Sequence, residues 1–484
     1  MKIRVDCDES YGRYLVASED IMTPGTNVLV EQAYSCSSHE ENMLDCCFSC
    51  QARLFKVVDS CINCGYLFCS TLCKQTHDHS MECALISELK LISSDLMIDF
   101  GLVLIVFRIC LRFINKPHEE LLGPDMVDVQ LGLLSTHTRC DLVQSLQTHE
   151  EDIDPQVLFL FKKASSLIES TLADRIPNSK ISFQTILNIF CVILVNAHGL
   201  CASGFSCDSG TGLFPIVSLL SHDCRPNCCF VTICNKIYVR SVAPILKNEK
   251  ISISYIDLTQ PTKIRRRELL STKYFICECF RCCSETECDV FPRSYPCSHC
   301  KVGWVVPIIN KTEEVHCSVD NLDFENCDDF NDAFDMFDEI YQNKEPQEVW
   351  QCHSCKSIDE DSKGDVIESS IQRLLSENPN VDVIEKLNDN KVSSCHYLLY
   401  GCLTRYCSND SKPKHKRIKY LNEVINILEK ILPPFHFEIS SRYKQLSLLY
   451  DDDEQADAAL DAAKRHIQVV YPNGHFENSS KNLL

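Results

Sequence analysis

Four pairs of candidate metal ligands lie within 37 residues near the start of the chain. In order, the pairs are Cys47 with Cys50, Cys61 with Cys64, Cys69 with Cys73, and His79 with Cys83. Each spacing is typical of tetrahedral zinc sites in which the protein supplies every ligand, so eight ligands predict two zinc ions. Buried thiols in a helical hairpin are the alternative, but the segment has too few large apolar residues for a core of its own. Cys46 and His77 are adjacent spare candidates, so the choice of His79 over His77 stays open.

The cysteine content of the whole chain agrees with metal binding better than with disulfides. The chain has 33 cysteines in 484 residues, and a chain of this length can bury a core without cross-links. Residues 1–10 are charged and no apolar signal segment follows them, so we expect a location in the cytoplasm and nucleus, where thiols stay reduced. No membrane location is expected, because the apolar stretches 100–107 and 186–195 are shorter than the roughly 20 residues that span a bilayer.

The formal net charge of −21 limits the classes of partner. Non-specific binding to nucleic acid needs clustered Lys and Arg, so no strong direct binding of this kind is expected. The acidic surplus instead favours a basic partner or substrate. A basic run at 412–419 is a candidate nuclear localisation or phosphate-contacting patch, and a solvated loop is the alternative.

A second cysteine-rich region covers residues 277–355. Two of its pairs, Cys297 with Cys300 and Cys352 with Cys355, are separated by a long insertion and predict a zinc ribbon. The alternative is that one pair arose by chance, since about two C-x-x-C pairs are expected at this cysteine content. We expect the acidic stretch 320–339 to be a solvated insertion, and Cys317 and Cys327 to be free thiols.

Hydrophobic periodicity gives an outline of the secondary structure. Alternation predicts two mutually paired strands, 14–17 and 27–30, around the Pro24-Gly25 turn. Strand character returns at 228–233, 236–242 and 249–255, whereas 84–195 is mostly helical. Amphipathic helices are predicted at 396–406, 417–432, 437–450 and 454–470.

Three further motifs follow one another downstream of the first cysteine block. Residues 219–227 read Leu-Leu-Ser-His-Asp-Cys-Arg-Pro-Asn, a strand then ends at Tyr255, and residues 277–282 read Cys-Glu-Cys-Phe-Arg-Cys. This order resembles a SET domain, whose signature is Asn-His-Ser-Cys-x-Pro-Asn, a strand tyrosine and a Cys-x-Cys-x2-Cys post-SET segment. The first block resembles a MYND zinc finger, which ends in the same C-x3-C and H-x3-C steps. Together the motifs resemble the SET-and-MYND lysine methyltransferase family over essentially the whole chain.

The resemblance implies how the metal ligands are shared. It implies cross-braced pairing in the first block, with Cys47, Cys50, Cys69 and Cys73 on one zinc and Cys61, Cys64, His79 and Cys83 on the other. It also implies a third zinc on Cys224, Cys277, Cys279 and Cys282. Some relatives carry a set comparable to Cys297, Cys300, Cys352 and Cys355, which would hold a fourth ion. Fingers of the MYND type resemble modules that bind peptides or proteins.

The resemblance further implies S-adenosylmethionine as methyl donor and assigns residues to its site. Tyr255 matches the active-site tyrosine that orients the target amine, and Phe275 matches the aromatic residue that covers the adenine. The motif histidine is His222, which would act mainly through its backbone. Gly12, in the family's Gly-x-Gly turn, and Asn196 are the other cofactor-binding candidates. Core packing is the alternative for Tyr255 and Phe275, and a helix C-cap is the alternative for Asn196.

Four positions depart from the family pattern. In the SET motif, Ser221 replaces the first Asn and Asp223 replaces the Ser. Tyr14 replaces the second glycine of the N-terminal turn, where a glycine allows close backbone approach to the cofactor. Lys273 stands where relatives carry a second channel tyrosine, and its charge would oppose both a sulfonium and an incoming lysine unless it is neutral or points away.

The predicted fold class is therefore α+β, with a SET-domain β fold split by a MYND zinc finger. A post-SET zinc site, a zinc ribbon and a C-terminal helical domain like tetratricopeptide repeats complete the prediction. The last domain would form a wall of the substrate groove or a partner site, with a stabilising lid as the alternative. The domains are the SET N-terminal part (1–45), finger (46–84), helical insert (85–195), SET core (196–258), post-SET (259–290), ribbon with insertion (291–360) and helical domain (361–484).

The leading functional prediction is an S-adenosylmethionine-dependent protein-lysine N-methyltransferase with three or four zinc sites. Its substrates would be lysines in histone tails or in other proteins. The alternative is a SET-fold adaptor or transcription cofactor with weak or no activity, which acts through the finger and the helical domain. A zinc hydrolase is disfavoured, because the sequence has no H-E-x-x-H motif or open three-ligand site.

Overall fold

The structure is a computed structural model that describes residues 3–472 with twelve gaps. The gaps are 9–11, 56–58, 76, 115–128, 131–137, 177–178, 202–208, 310–347, 360–362, 378–383, 385–386 and 388–391. The predicted acidic insertion at 320–339, Cys317 and Cys327 lie outside the described residues. The chain divides into a first unit of Met1–Asp257, Arg266–Cys277 and Leu432–Leu484 and a second unit of Leu258–Arg265 and Glu278–Ile431.

The first unit contains several small sheets rather than one large one. Its strands are β1 (Ile3–Asp8), β2 (Gly12–Ala17), β3 (Asn27–Gln32), β4 (Ser35–Ser38), β5 (Asp59–Ser60), β6 (Leu67–Phe68), β7 (Val129–Gln130), β8 (His198–Leu200), β9 (Gly210–Leu213), β10 (Ser221–His222), β11 (Cys228–Ile233), β12 (Lys236–Ser241) and β13 (Ser252–Ile253). The sheet orders are β2-β1-β7, β4-β9-β8, β11-β12-β3, β5-β6 and the parallel pair β10-β13. The last pair matters most for function, because it brings residues 221–222 beside 252–253.

The predicted mutual pairing of strands 14–17 and 27–30 is wrong, although both strands are present. β2 pairs antiparallel with β1 in a six-residue ladder, and β3 pairs antiparallel with β12. The Pro24-Gly25 turn therefore separates two strands that each have a longer partner elsewhere, and Val28 and Leu29 of β3 are buried in the main core. The predicted strand at 249–255 is also shorter than expected, so Tyr255 lies beyond the end of β13.

Helices supply most of the remaining core of the first unit. They are α1 (Thr71–Lys74), α2 (His77–Glu82), α3 (Ile86–Leu96), α4 (Phe100–Ile114), α5 (Arg139–Gln144), α6 (Pro155–Arg175) and α7 (Phe183–Asn196). The two most apolar stretches of the sequence form α4 and α7, which are buried along most of their length. Within the part of the chain that is described, no helix combines the length and apolar character needed to cross a bilayer.

The Cys/His-rich segment, residues 46–84, shares the core of the first unit. Phe48, Tyr66 and Phe68 are buried in the same cluster as the helices. The ring of Phe48 stacks on Tyr66 at 4.1 Å between centroids, and Tyr66 stacks on Phe100 of α4 at 6.4 Å. The sequence correctly indicated that this segment lacks a core of its own, because its aromatic side chains pack against α4.

The second unit is built on a three-stranded sheet and helices. Its strands β14 (Tyr295–Pro296), β15 (Trp304–Ile309) and β16 (Glu348–Cys352) form the Cys-rich sheet, in the order β14-β15-β16. Trp350 is 1% exposed, and a side chain at Gly364 would collide with its ring, so a glycine is required there. Helix α8 (Thr262–Lys273) begins in the second unit and ends in the first, and α9 (Phe280–Cys283) follows it.

The C-terminal helices lie close to their predicted positions. The second unit holds α10 (Lys363–Glu377), α11 (Tyr397–Cys407) and α12 (Lys414–Ile431), and the first unit holds α13 (Phe437–Ser447) and α14 (Asp453–Val470). The basic run 412–419 is not simply a solvated loop, since α12 begins at Lys414 and continues through the run. His396 and His436 accept backbone N–H groups at the first turns of α11 and α13.

Candidate active site and metal centres

The first set of ligands converges at the start of the Cys/His-rich segment. The set is Cys47, Cys50, Cys69 and Cys73, whose sulfur atoms all lie within 4.8 Å of one another. Cys69 Sγ is 3.5 Å from both Cys50 Sγ and Cys73 Sγ. A tetrahedral zinc site with bonds of 2.3 Å places its sulfurs about 3.8 Å apart, so this arrangement fits the metal. All four thiols are free of disulfides.

The second set interleaves with the first along the sequence. It consists of Cys61, Cys64, His79 and Cys83, again within 4.8 Å, and Cys61 Sγ lies 3.6 Å from Cys83 Sγ. The structure thus brings together the ligands in the cross-braced order implied by the family resemblance. The side chain of His77 lies outside the described residues, so its exclusion as a ligand stays a prediction.

A buried ion pair supports the second set from α4. Arg108 Nε and Nη2 donate to the two carboxylate oxygens of Glu82, each at 2.7 Å, and Nη1 donates to the carbonyl of Cys36 at 2.5 Å. The Glu82 carboxylate lies 3.9 Å from Nδ1 of His79. Carboxylates beside a ligating histidine fix ring orientation, so Glu82 is placed for this supporting role. No local pattern in the sequence indicated this ion pair, because Arg108 and Glu82 are 26 residues apart.

The predicted ribbon ligands meet in the Cys-rich sheet of the second unit. Cys297, Cys300, Cys352 and Cys355 have sulfur atoms within 4.8 Å of one another. Cys297 Sγ is 3.8 Å from Cys355 Sγ, and Cys300 Sγ is 3.7 Å from Cys352 Sγ, close to the tetrahedral value above. The proximity of both pairs argues against a chance C-x-x-C match.

The remaining predicted set is divided between the units. Cys224 and Cys277 belong to the first unit, and Cys279 and Cys282 belong to the second. In the second unit, Nη2 of the fully buried Arg265 lies 3.4 Å from Cys282 Sγ, and its Nη1 donates to Glu287 at 2.7 Å. A zinc site on all four cysteines stays a prediction.

Tyr255 has the geometry of a fixed phenol. Its hydroxyl donates to the carbonyl of Leu220, and its backbone N–H donates to Nδ1 of His222 at 3.1 Å. Burial raises the pKa of Tyr255, so the phenol is neutral at physiological pH. Ordinary core packing, the alternative, would not by itself provide two polar attachments to one motif segment.

The side chain of His222 does more than its sequence assignment implied. It lies on β10, whose parallel register places it opposite Ile253, two residues before Tyr255. Its Nδ1 accepts from Tyr255, and its Nε2 lies 3.3 Å from Cys224 Sγ. A neutral imidazole with its proton on Nε2 satisfies both contacts. The spacing His222-x-Cys224 was a signal in the sequence, but the contact with Tyr255 depends on strand pairing.

The predicted cofactor-binding residues differ in what the structure places around them. The half-buried Phe275 ring lies 6.2 Å from the His222 ring, close enough to continue the aromatic surface toward Tyr255. Gly12 has a φ of +63°, and an added Cβ there would meet no described atom within 4 Å. Asn196 ends α7 and donates to the carbonyls of Gln147 and Val192, both at 2.9 Å, so its amide caps the helix end.

The open backbone at Gly12 and the half-buried ring of Phe275 fit a cofactor with an aromatic base. Three positions that depart from the family pattern, Tyr14, Asp223 and Ser221, have local contacts of their own. The Tyr14 hydroxyl hydrogen-bonds Asp8, which raises the pKa of Tyr14, and Lys250 Nζ lies 4.3 Å above its ring. Asp223 accepts the backbone N–H of Arg225 at 2.7 Å, a local turn contact, and Ser221 pairs with Ser252 in the β10-β13 ladder.

Lys273 does not point away from Tyr255. Its Nζ donates to the carbonyl of Val195 at 2.5 Å and lies 5.9 Å from the centroid of the Tyr255 ring. Burial lowers the pKa of Lys273. The sequence left open whether Lys273 points away from the site. The structure shows that it does not, since its amine lies beside Tyr255, the candidate active-site tyrosine.

Comparison with known proteins assigns the region that holds Gly12, Asn196, His222 and Tyr255 to a family. The SET domain family model matches residues 12–256, about half of the chain, so the chain belongs to the SET domain family. Several curated relatives are SET-and-MYND proteins, which confirms the resemblance noted in the sequence. SET and MYND domain-containing protein DDB_G0273589 of Dictyostelium discoideum is 25% identical over 375 residues, or 68% of this chain and 96% of the relative.

Two other relatives match over shorter parts. Histone-lysine N-methyltransferase ASHR1 of Arabidopsis thaliana is 26% identical over 276 residues, which are 56% of this chain and 53% of the relative. The match therefore spans about half the length of that protein. Histone-lysine N-methyltransferase SMYD3 of Homo sapiens is 32% identical over 110 residues, 23% of this chain and 24% of the relative. The structure of Rubisco LSMT bound to AdoMet aligns over the whole chain and 88% of its own, but at 13% identity and a TM-score of 0.27, too low to support a statement about the fold.

Proposed function

We propose that the chain is an S-adenosylmethionine-dependent protein-lysine N-methyltransferase. The observation that carries the proposal is Tyr255, a neutral, enclosed phenol fixed by Leu220 and His222 inside the region matched by the SET family model. The names of the plant and human relatives, both histone-lysine N-methyltransferases, support the same activity. The adaptor alternative is not favoured by these relatives.

The chemistry requires a neutral target amine. A lysine of pKa about 10.4 must lose a proton, which costs between about 4 and 5 kcal/mol at neutral pH. Burial of the amine in an apolar channel lowers this cost. Bound S-adenosylmethionine supplies an electrophilic methyl group on a positively charged sulfur, and the residues of the chain must align the amine with it.

The residues around Tyr255 are suited to alignment rather than to proton abstraction. The hydroxyl of Tyr255 donates a hydrogen bond to the Leu220 carbonyl, so the lone pairs of its oxygen are left to accept a hydrogen bond from the target amine. That bond would hold the amine in line with the methyl group. Because burial raises the pKa of Tyr255, its phenolate form is too rare to act as a base. His222 fixes the backbone of Tyr255 and so restricts where the phenol can lie.

The proposal includes four structural zinc ions on the four cysteine-rich sets, the divided set of Cys224, Cys277, Cys279 and Cys282 among them. It assigns the Cys/His-rich segment to a MYND finger that binds peptides, and the C-terminal helices to a domain like tetratricopeptide repeats, with the domain boundaries given above. Lysines in basic segments such as histone tails are the proposed substrates, in keeping with the net charge of −21. The cytoplasm and nucleus are the proposed locations.

Removal of one hydroxyl tests the activity. In Tyr255→Phe we expect methyl transfer to fall by about a hundredfold or more, because alignment of the amine is lost, while S-adenosylmethionine binds as before. Transfer of a labelled methyl group to basic histone peptides measures the rate, and calorimetry measures binding. Tyr238→Phe on β12 is the matched control and should keep full activity.

Two outcomes would contradict different parts of this proposal. Unchanged transfer in Tyr255→Phe would remove the role of that residue. No detectable S-adenosylmethionine binding by the wild-type protein at millimolar ligand would remove the enzyme and leave the adaptor as the better account.

A further inference from the structure

Lys273 is a half-buried cation beside the candidate active site. Its ammonium is held by the neutral carbonyl of Val195 at 2.5 Å, and it lies 5.9 Å from the Tyr255 ring centroid. Among the residues that the structure describes, no carboxylate forms an ion pair with it. The ammonium therefore meets a neutral carbonyl dipole rather than the charge of a counter-ion.

Two titratable neighbours of Lys273 among the described residues, Tyr255 and His198, are neutral. Burial raises the pKa of Tyr255, which keeps that phenol neutral. Burial, and then the charge of Lys273, lower the pKa of His198 to about 4, so this imidazole is neutral as well. The Nδ1 atom of His198 is enclosed and accepts no hydrogen bond from the described residues. Burial also lowers the pKa of Lys273, as expected for a cation without an anion nearby.

We infer that Lys273 makes the cofactor site select the neutral form of its cofactor, S-adenosylhomocysteine, over the positively charged S-adenosylmethionine. The inference rests on the proposed function, because methyl transfer at Tyr255 places the sulfur of the cofactor near that phenol. The two cofactor forms differ by one methyl group and one positive charge. Both forms would make the same contacts through adenine, ribose and amino acid. The charge of Lys273 would therefore change only the difference between their two affinities.

The size of the effect would depend on the distance between Lys273 Nζ and the sulfur of a bound cofactor. As a general scale, two unit charges about 6 Å apart at an effective dielectric constant of about 20 repel enough to change an equilibrium roughly a hundredfold. Stronger screening reduces the change to about tenfold. The site would then be held by its own product, and turnover would depend on removal of S-adenosylhomocysteine by a second, hydrolytic or transfer reaction.

Calorimetry with both cofactor forms tests the inference without any measurement of methyl transfer. S-adenosylmethionine and S-adenosylhomocysteine are titrated separately into the wild-type protein and Lys273→Met, which keeps most of the side-chain length but removes the charge. We expect the ratio of the two Kd values to shift toward S-adenosylmethionine by about tenfold to a hundredfold in Lys273→Met. Lys273→Gln, checked for folding by circular dichroism, provides a second neutral side chain in case the Met variant does not fold.

Two further variants are matched controls. Lys273→Arg keeps the charge and should keep the wild-type ratio, whereas a loss of selectivity in it would point to side-chain shape. Lys263→Met removes a positive charge ten residues earlier on α8, about 15 Å away along the helix, and should leave the ratio unchanged.

Each remaining outcome is decisive. If the neutral variants change both affinities equally or neither, the inference about Lys273 is wrong while the proposed function stands. If the wild-type protein and the neutral variants bind neither form, the proposed function fails and the inference fails with it.

Discussion

The imidazole of His222 contacts both the candidate active-site tyrosine and a proposed zinc ligand in the first unit. Its Nδ1 accepts the backbone N–H of Tyr255, and its Nε2 lies 3.3 Å from the sulfur of Cys224, a proposed zinc ligand. A neutral histidine that is fixed at both nitrogens has one tautomer and one ring orientation. The position of the Tyr255 backbone is thus tied to the position of Cys224, although the two residues are 31 positions apart.

The prediction at this scale compares two substitutions of His222. In His222→Ala the backbone N–H of Tyr255 loses its acceptor, which should lower the free energy of unfolding by about 1–3 kcal/mol and reduce methyl transfer. In His222→Asn the side-chain oxygen reaches the same N–H, so most of the loss of stability should be avoided. Urea unfolding of both variants measures the difference. Equal destabilisation would show that the contact with Tyr255 contributes nothing.

Single residues also show what the sequence could and could not reveal. The pairs of zinc ligands were predictable, because they are fixed by local spacing and carry their chemistry with them, whereas the sharing of pairs in the first block was implied by the family resemblance. Tyr255 was found from its place in a motif. The contacts that define its surroundings were not predictable, since Leu220 and Val195 reach Tyr255 and Lys273 across 35 and 78 residues. The contact of Tyr255 with Leu220 lies beside the parallel β10-β13 pairing, and that of Lys273 with Val195 joins the ends of α8 and α7; no local pattern contains either.

At the scale of elements, two helices begin with an uncommon cap. The backbone N–H of Leu398 donates to Nδ1 of His396 at the start of α11, and the backbone N–H of Glu438 donates to Nδ1 of His436 at the start of α13. A ring nitrogen can accept only while it is unprotonated. Burial lowers the pKa of His396 to about 3 and that of His436 to about 4, in agreement with neutral caps.

These caps predict a loss of stability in acid. An unfolded histidine has a pKa near 6.5, so below that pH the unfolded chain binds protons that the native chain excludes. Between pH 7 and pH 5 each capping histidine should therefore cost about 2 kcal/mol of stability. The double variant His396→Asn, His436→Asn keeps cap acceptors that do not titrate, so its thermal melting should change less over this range. An identical decrease in both proteins would contradict the role of the caps.

Elements were easier to locate than to pair. The C-terminal helices could be placed to within about three residues, because 3.6-residue periodicity is a property of each helix alone. The pairing of β2 with β3 was wrong because a turn signal such as Pro24-Gly25 reports a change of direction and not a partner. The partners were set by burial of β3 residues such as Val28 and Leu29, which depends on the rest of the unit.

For the whole molecule, the metal sets are embedded to different depths. The Cys/His-rich segment contributes Phe48, Tyr66 and Phe68 to the large core of the first unit. The Cys-rich sheet has a small core of its own, formed by Tyr295, Cys297, Val305, Trp350 and Cys352. Loss of zinc from the two places should therefore have unequal consequences.

Two ligand substitutions of the same kind test this difference. Cys50→Ser and Cys300→Ser should each lower the zinc content by about one ion per chain, measured by elemental analysis. Cys50→Ser should also lower the main melting transition, because the aromatic residues of the segment lose their place in the large core. Cys300→Ser should leave that transition nearly unchanged. Similar melting of both variants would show that the segment is no more integrated than the sheet.

The shared packing of Phe48, Tyr66 and α4 should constrain how residues 46–84 evolve as well as how stable they are. A genetic screen for loss of the fold of residues 46–84 would return not only their cysteines but also substitutions at Phe100 and Arg108, which lie outside the segment. Transplanting residues 46–84 into another protein would leave an apolar face without its neighbour. Residues 46–84 and helix α4 should accordingly be retained or lost together in evolution.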